Sequence, residues 1–486
     1  MPMPFTDKLP RPLQRAVSQV PGPVYLVGGA LRDLLAGRPV HDWDVLAGDA
    51  RALADAVADA CASHPIPFHP DPLTLRVPCN GDTVDIVQGP PTGLKADLAR
   101  RDFTVNAMAL ELSCGETSCD VFDPFGGLKD LRAGLLRVVS ARTFADDPAR
   151  VARAYRLSAE LGLRLTPTTE GLLESAGPLV AKTHPQRLGA EYLRLLDARY
   201  GVAAVVNRMR KHGLLKLLLP WADAMERVGR GGFHHLPVLG HTLEALSHAD
   251  RLVAAPRWLF NSAAPWLEEA LTRPRARCRL RAAVLFHDVG KPVAHGRRPD
   301  GGVTFYGHEE LGAEAARELM RRWAWPKPLL RSVERLVRLH MRPLTLARAA
   351  VEWDRPVSDR ALRHLAKDAG EDLELLFLLA AADLLAAQGP ASDPQAKLAM
   401  LRILDEMLSR STRLSQQHQA RPRLLTGHDL MRELGLAPGP LLGRVLEAVE
   451  EAIEEGRVRT KDEALALARE AAACLGPKDS QADETL

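Results

Sequence analysis

No run of apolar residues in this chain approaches the roughly 18 needed to cross a bilayer as a helix, which excludes an integral helical membrane protein. Cysteine is scarce, at six in 486 residues, too few for a disulfide scaffold, and a reducing cytoplasm is the simplest setting. The first ten residues hold Asp7, Lys8 and three prolines, with no apolar stretch to act as a secretory signal. Charge of one sign is also lacking: the net value is +3, which selects no partner by itself. No internal repeat is visible. What is present is a globular composition, 46% hydrophobic and 26% charged, which excludes wholesale disorder and collagen-like sequence. At 486 residues the length is that of about three domains.

Texture changes along the chain. Residues 24–27, 43–46, 83–87 and 136–139 are short β-branched or apolar runs bounded by turn residues and are expected as strands; residues 31–35 open a helical pattern. Beyond Asp146, Val151, Ala154, Leu157 and Leu161, then Leu188, Tyr192, Leu195 and Leu196, recur at three- and four-residue spacing, which predicts amphipathic helices. Helical patterning continues with breaks at 229–237, at 256–274 (a loop or insertion), at 297–303 and at 389–394. A polar stretch, 409–422, is expected as a linker to a last helical unit over 426–474, and the tail after Gly476 as disordered. Between Arg142 and Lys216 stand 13 lysines and arginines against 7 acidic residues. This excess fits a polyanion-binding surface and fits solvated helix faces equally well.

Two constellations carry chemistry. Gly28-Gly29-Ala30-Leu31-Arg32-Asp33 sits where a strand turns into a helix, so backbone can approach a ligand closely and free N–H groups favour phosphate. Arg32, one turn in, can reach the same anion. Eight residues past Asp33 comes His41, and Asp42-Trp43-Asp44 directly after it places two carboxylates on one face of a strand. Carboxylates that close repel one another unless a cation lies between them, and Mg2+ with its oxygen shell suits them. Asp85 is a candidate third carboxylate on a neighbouring strand.

These residues resemble the head of the class II tRNA nucleotidyltransferase and bacterial poly(A) polymerase family. Arg100-Arg101-Asp102-Phe103-Thr104-Val105-Asn106 is similar to that family's second motif, Asp123-Pro124-Phe125-Gly126-Gly127 to its third, and Asp146-Asp147-Pro148-Ala149-Arg150 with Arg153 and Arg156 to its fourth. The resemblance implies an α/β, polymerase-β-like nucleotidyltransferase head followed by an all-α neck, body and tail. It implies nucleotide contacts from Gly28, Gly29, Arg32, Asp33, Arg101, Asp102, Asn106, Arg153 and Arg156. Asp42, Asp44 and Asp85 would be catalytic, the first two on Mg2+. Asp147 and Arg150, three apart on one helix face, can offer an acceptor and a donor fork to a Watson–Crick edge. The first position of that fourth motif, which in the family serves as a protein template for the incoming base, is usually Glu and is Asp146 here. Only the 16 residues 86–101 separate Asp85 from Asp102, a short loop that resembles the CC-adding branch. A basic segment usual before Asp85 in bacterial poly(A) polymerases is missing.

The second constellation is His241, then His287-Asp288, then Asp383, an order that resembles an HD phosphohydrolase domain, with Leu285-Phe286-His287-Asp288-Val289-Gly290-Lys291 the most specific piece of the resemblance. Imidazoles and carboxylates from helices can converge on a divalent transition metal. His308 and His340 are candidates for a second metal of that site. Its substrate would be a phosphoester such as a 2′,3′-cyclic phosphate at an RNA end. His234-His235 is expected as a loop pair, and Cys114-x4-Cys119 lacks the second ligand pair of a zinc site. Thr426-Gly427-His428-Asp429-Leu430 resembles the family's C-terminal tRNA-contacting region, and no partner ligands follow it.

The expected organisation is a head at 1–141, a helical neck at 142–228, an HD body at 229–392, a helical tRNA-binding tail at 393–476 and a disordered end at 477–486. The expected activity is addition of CMP and AMP to the acceptor end of tRNA from CTP and ATP with Mg2+. Alternatives are a CC-adding-only enzyme, a poly(A) polymerase, an HD phosphohydrolase whose head binds RNA, and an RNA-binding scaffold with degenerate sites.

Overall fold

The computed structural model describes residues 8–89, 93–112, 120–199, 201–229, 236–299, 302–389, 393–420, 424–454 and 457–475. The Cys114–Cys119 pair, His234-His235, positions 90–92 of the short loop and the 477–486 tail lie outside them. The chain divides into two compact units, Met1–Arg410 and Ser411–Leu486.

The first unit begins with a seven-stranded mixed sheet. Its strands are β1 (Val24–Val27), β2 (Asp42–Ala47), β3 (Ile66–Pro70), β4 (Leu73–Cys79), β5 (Asp82–Gln88), β6 (Ala109–Glu111) and β7 (Val121–Phe122), in the order β3-β4-β5-β2-β1-β6-β7. Only β2 and β5 run parallel. Strand alternation sorts β2: Trp43 and Val45 enter a core with Leu13 of α1 (Arg11–Val17), Leu31 of α2 (Gly28–Leu35) and Leu53 and Val57 of α3 (Ala50–Cys61). Asp42 and Asp44 are left for the other face. Asp49 caps α3 by accepting from the Ala52 N–H at 2.9 Å. One cross-link was not foreseen: Cys61, at the end of α3, and Cys79, at the end of β4, form a disulfide. Residues 136–139 do not make a full strand. The structure keeps a two-residue strand, β8 (Leu135–Leu136), paired with β9 (Arg164–Leu165), and an isolated Phe103–Val138 bridge.

Helices follow almost without interruption. After α4 (Leu94–Ala99), α5 (Gly127–Ala133) and α6 (Thr143–Asp146) come α7 (Ala149–Leu161), α8 (Pro167–Ser175), α9 (Gly177–Val180), α10 (Pro185–Asp197), α11 (Val202–Lys211) and α12 (Ala222–Arg227). Proline at the first helical turn starts α8 and α10, where its missing N–H costs nothing. Beyond them lie α13 (Val238–Ala254), α14 (Ala264–Thr272), α15 (Ala276–Phe286), α16 (Lys291–Ala294), α17 (His308–Arg322), α18 (Lys327–Leu339), α19 (Met341–Glu352), α20 (Asp359–Ala369) and α21 (Leu373–Ala386). Every residue of α21 from Leu373 to Asp383 is buried, so this helix, apolar on all sides, is the centre of the body. Two expectations fail here. The 256–274 segment is a 3-10 turn at Pro256–Trp258 followed by α14, because Ala264, Leu267 and Ala270 supply a buried helical face despite the prolines. Over 409–420 the stretch is helical where an open linker was expected: α22 (Pro394–Ala420) covers it, with Ser415 satisfying its hydroxyl on the Ser411 carbonyl at 2.9 Å, and the boundary between the two compact units falls there; positions 421 and 422 lie outside the described residues.

Within the second unit, α23 (Gly427–Leu434), α24 (Pro440–Glu454) and α25 (Lys461–Leu475) enclose Leu430, Val445, Val449, Ala464 and Ala468. Asp429 accepts from the Thr426 N–H while the Thr426 hydroxyl accepts from the Asp429 N–H, a capping box. That carboxylate is a helix cap. No described helix is long and apolar enough to cross a membrane.

Candidate functional sites

In the head, the turn from β1 into α2 is shaped by Gly28, whose φ is +69°. A Cβ there would lie 2.8 Å from Asp44 Oδ2 and 3.0 Å from Arg101 Nη1, so only glycine lets the backbone pass between these charges. The Gly29 N–H faces the Asp44 carboxylate. Burial, with Asp85 and Asp42 adding repulsion, pushes the Asp44 pKa up against the pull of Arg101 and that N–H. A carboxylate so placed gains from a cation, so the donor set fits a hard divalent metal.

A cavity of about 350 Å3 opens beside it, and Gly28, Gly29, Asp44, Arg101, Asp102, Asn106, Arg150 and Arg153 all line it. Other sequence-predicted residues stand behind this wall. Arg32 is buried, donates to both Asp33 oxygens and reaches Asn106 Oδ1 at 2.6 Å. Asn106 in turn donates to Asp102 Oδ1 at 2.9 Å, and Arg153 to Asp102 Oδ2 at 3.2 Å. Burial alone would raise the Asp102 pKa, but Arg153, Asn106 and the Phe103 N–H outweigh it and hold the carboxyl below its usual range. Arg153 and Arg156 both end on Glu191 of α10. Arg156 is therefore committed to Glu191 and Glu160 and does not line the cavity.

Asp147 corrects the expectation of a shared helix face. It lies in extended backbone just before α7, with φ −148°, and accepts the Ala149 N–H at 3.1 Å, while Arg150 is in the first turn. The two remain neighbours, 3.9 Å apart. Asp146 pairs at the surface with Arg142. Asp85 stands opposite Asp44 across β2 and β5, yet both its oxygens are held by Arg76 of β4, each at 2.7 Å. Glu191, Arg76 and Arg187, which donates to Asp147 Oδ2 at 2.8 Å, escaped the sequence reading. For Glu191 a signal existed: an acid three residues after Leu188, beside Tyr192, on an otherwise apolar helix face.

The body brings all six predicted ligands together. Among the described residues two groups could hold an ion: His241, His287 and Asp383, and Asp288, His308 and His340, with ligand atoms within 4.8 Å of one another in each. His287, His308 and His340 each direct Nδ1 at the carbonyl three residues earlier, at 2.8, 2.8 and 2.7 Å. A carbonyl only accepts, so in each ring Nδ1 carries a proton and Nε2 is the nitrogen left to face a ligand. Burial, reinforced by His287, takes the His340 pKa down to about 3. His308 Nε2 and His340 Nε2 lie only 3.3 Å apart, two lone pairs that repel unless a cation sits between them. Buried His287 Nε2 and Asp288 Oδ1 make no hydrogen bond. These donors fit two divalent ions with Asp288 between them, and imidazole favours a transition metal. Lys291 Nζ binds Asp288 Oδ2 at 2.7 Å. Gly290 permits the approach of α17, since a Cβ there would be 2.1 Å from the His308 carbonyl oxygen.

Residues 74–137 match the poly A polymerase head domain, residues 162–225 the probable RNA and SrmB-binding site of polymerase A, and residues 238–388 the HD domain. An A-adding tRNA nucleotidyltransferase of Deinococcus radiodurans is 35% identical over 91% of this chain and 94% of its own. A CC-adding tRNA nucleotidyltransferase of Thermus thermophilus is 33% identical over 92% and 93%. A multifunctional CCA protein of Methylococcus capsulatus is 34% identical over 65% and 71%. The fold is that of the Thermotoga maritima CCA-adding enzyme complexed with tRNA, at 21% identity, TM-score 0.59 and 97% coverage of both chains.

Proposed function

This chain belongs to the tRNA nucleotidyltransferase family, and we propose that it adds the CCA end, CMP twice and then AMP, to tRNA from CTP and ATP without a nucleic-acid template. The observation that carries the reading is the Asp44 carboxylate packed against the Gly28–Gly29 turn, with Arg101 beside it, in a cleft that Arg150 also lines. Backbone N–H groups at the start of α2 receive the triphosphate, with Arg101 beside them. Asp147 accepts a hydrogen bond from the exocyclic amine that cytosine and adenine share, and Arg150 donates to the adjacent ring nitrogen. Uracil and guanine present a carbonyl where Asp147 needs a donor, and are rejected. Mg2+ at Asp42 and Asp44 would ease loss of the RNA 3′-hydroxyl proton and neutralise the departing pyrophosphate. We assign the enzyme to the cytoplasm, where these substrates meet.

The test presents tRNAs lacking CCA, ending in CC, or complete, with labelled CTP or ATP. Stepwise addition of C, C and A, and none to complete tRNA, is expected; long A tails refute it. A second reading, a specialist adding only A or only CC, is favoured by the full-length likeness to an A-adding and a CC-adding relative. Labelling from a single nucleotide identifies it.

The HD body supports a further hydrolytic activity on a phosphoester such as a 2′,3′-cyclic phosphate of an RNA end, carried by the six converging ligands. Two divalent ions there would supply Lewis acidity and an activated water. Release of phosphate or ring opening from such an RNA, lost in His287→Ala, tests it.

A further inference from the structure

One row of side chains crosses four adjacent strands. Asp44 of β2 stands opposite Asp85 of β5, Asp85 opposite Arg76 of β4, and Arg76 opposite Ile66 of β3. Residues directly opposite share a face, so the row leads from the carboxylates to the edge of the sheet. Every residue of β3 is exposed, and its register with β4 shifts between Pro67 and His69. Such a bulge re-aims a side chain, often beside a functional site. Here it brings Phe68 over Arg76, with the guanidinium carbon 4.3 Å from the ring centroid, while that guanidinium holds both oxygens of Asp85. The Phe68 ring nevertheless stays 61% exposed and Ile66 41%. Aromatic ring, cation and third carboxylate are thus stacked in sequence on the catalytic face, and the ring serves no core.

In-line displacement requires the attacking oxygen and the leaving pyrophosphate to lie on opposite sides of the reacting phosphorus. The Gly28–Gly29 turn and Arg101 lie on the β1 side of Asp44. The attacking RNA end must then arrive from the β5 side, over Asp85. Continuing that way, Arg76 comes next on the adjacent strand, then Phe68 two strand spacings, or about 10 Å, from Asp85.

We propose that Phe68 and Arg76 form the subsite for the 3′-terminal nucleotide of the RNA: its base stacks on Phe68, and Arg76 orients Asp85 beside the terminal hydroxyl. This rests on the tRNA nucleotidyltransferase reading above and specifies how that site grips its second substrate. Stacking is indifferent to base identity. That property is what an end that changes with every addition demands.

The test uses the full-length enzyme and a tRNA acceptor-stem RNA whose 3′-terminal nucleotide is 2-aminopurine. Wild type is expected to quench the fluorescence on binding, and Phe68→Trp to retain the effect. Phe68→Ala and Phe68→Leu, at an exposed position where folding is not at stake, should lose the quenching. They should also raise KM for RNA about tenfold, with KM for CTP and ATP unchanged. Equal quenching and equal RNA KM in wild type, Phe68→Leu and Phe68→Ala would overturn the subsite. A wild-type enzyme that extends no tRNA at all would instead overturn the underlying reading, so the two failures are told apart.

Discussion

Arg187 donates from Nη2 to Oδ2 of Asp147 at 2.8 Å, tying the start of α10 to the loop that precedes α7. Arg150, meanwhile, spends Nη2 on the Arg100 carbonyl at 2.8 Å. Asp147 therefore keeps one oxygen against Arg187 and the other on the Ala149 N–H, a fixed orientation for the base-reading role proposed for it.

Removing that tie should blunt selection more than catalysis. Arg187→Ala is expected to raise KM for CTP and ATP about tenfold and to increase UTP misincorporation, with kcat less affected; Arg187→Lys recovers part of the loss. Steady-state kinetics with each of the four nucleotides checks this.

The head and the body are chemically separate in their donor sets, so their variants should dissociate. Asp44→Asn is expected to abolish nucleotide addition while leaving the metal content of the body unchanged. His287→Ala should lower that metal content after dialysis and spare incorporation of labelled CTP. Metal analysis and incorporation are measured on the same samples.

Two glycines make a matched pair. A Cβ at Gly290 would strike the His308 carbonyl at 2.1 Å, whereas one at Gly171, inside α8, meets nothing within 4 Å. Gly290→Ala should destabilise by ~1–3 kcal/mol and weaken metal binding by shifting His308. Gly171→Ala should stabilise by ~0.5–1 kcal/mol. Denaturant unfolding of both variants decides.

His248 of α13 gives a pH dependence of known sign. Burial first, then the charges of Arg251, Lys397 and His241, take its pKa from 6.5 to about 4. Between those values the unfolded chain takes up a proton that the folded chain refuses, so this contribution is complete above pH 6.5 and is lost as pH falls toward 4. His248→Gln should flatten the slope of Tm against pH in that window and change it little above.

Much of both sites is legible along the chain because their residues sit at short, periodic spacings. Asp42 and Asp44 alternate with buried Trp43, and His287 and Asp288 are adjacent. Helical periodicity also located α7 and α10. It does not reveal the helix over 409–420, where a polar composition suggests a linker although Ser409 and Ser411 are buried in a continuous helix. Hydroxyls bonded back to helix carbonyls satisfy themselves locally, and composition cannot reveal that.

What the amino-acid order determined by itself is the inventory: which acids, imidazoles and glycines exist, and which share a strand or a turn. Only the tertiary structure decided their partners. Whether Asp85 faces a metal or Arg76 depends on the register of β4 with β5, and whether Arg153 and Arg156 face a ligand or Glu191 depends on how α7 meets α10. Periodicity is a property of neighbours within a few residues. Arg76 finds Asp85 across 9 positions of chain and Arg153 finds Asp102 across 51, through packing that no local pattern encodes.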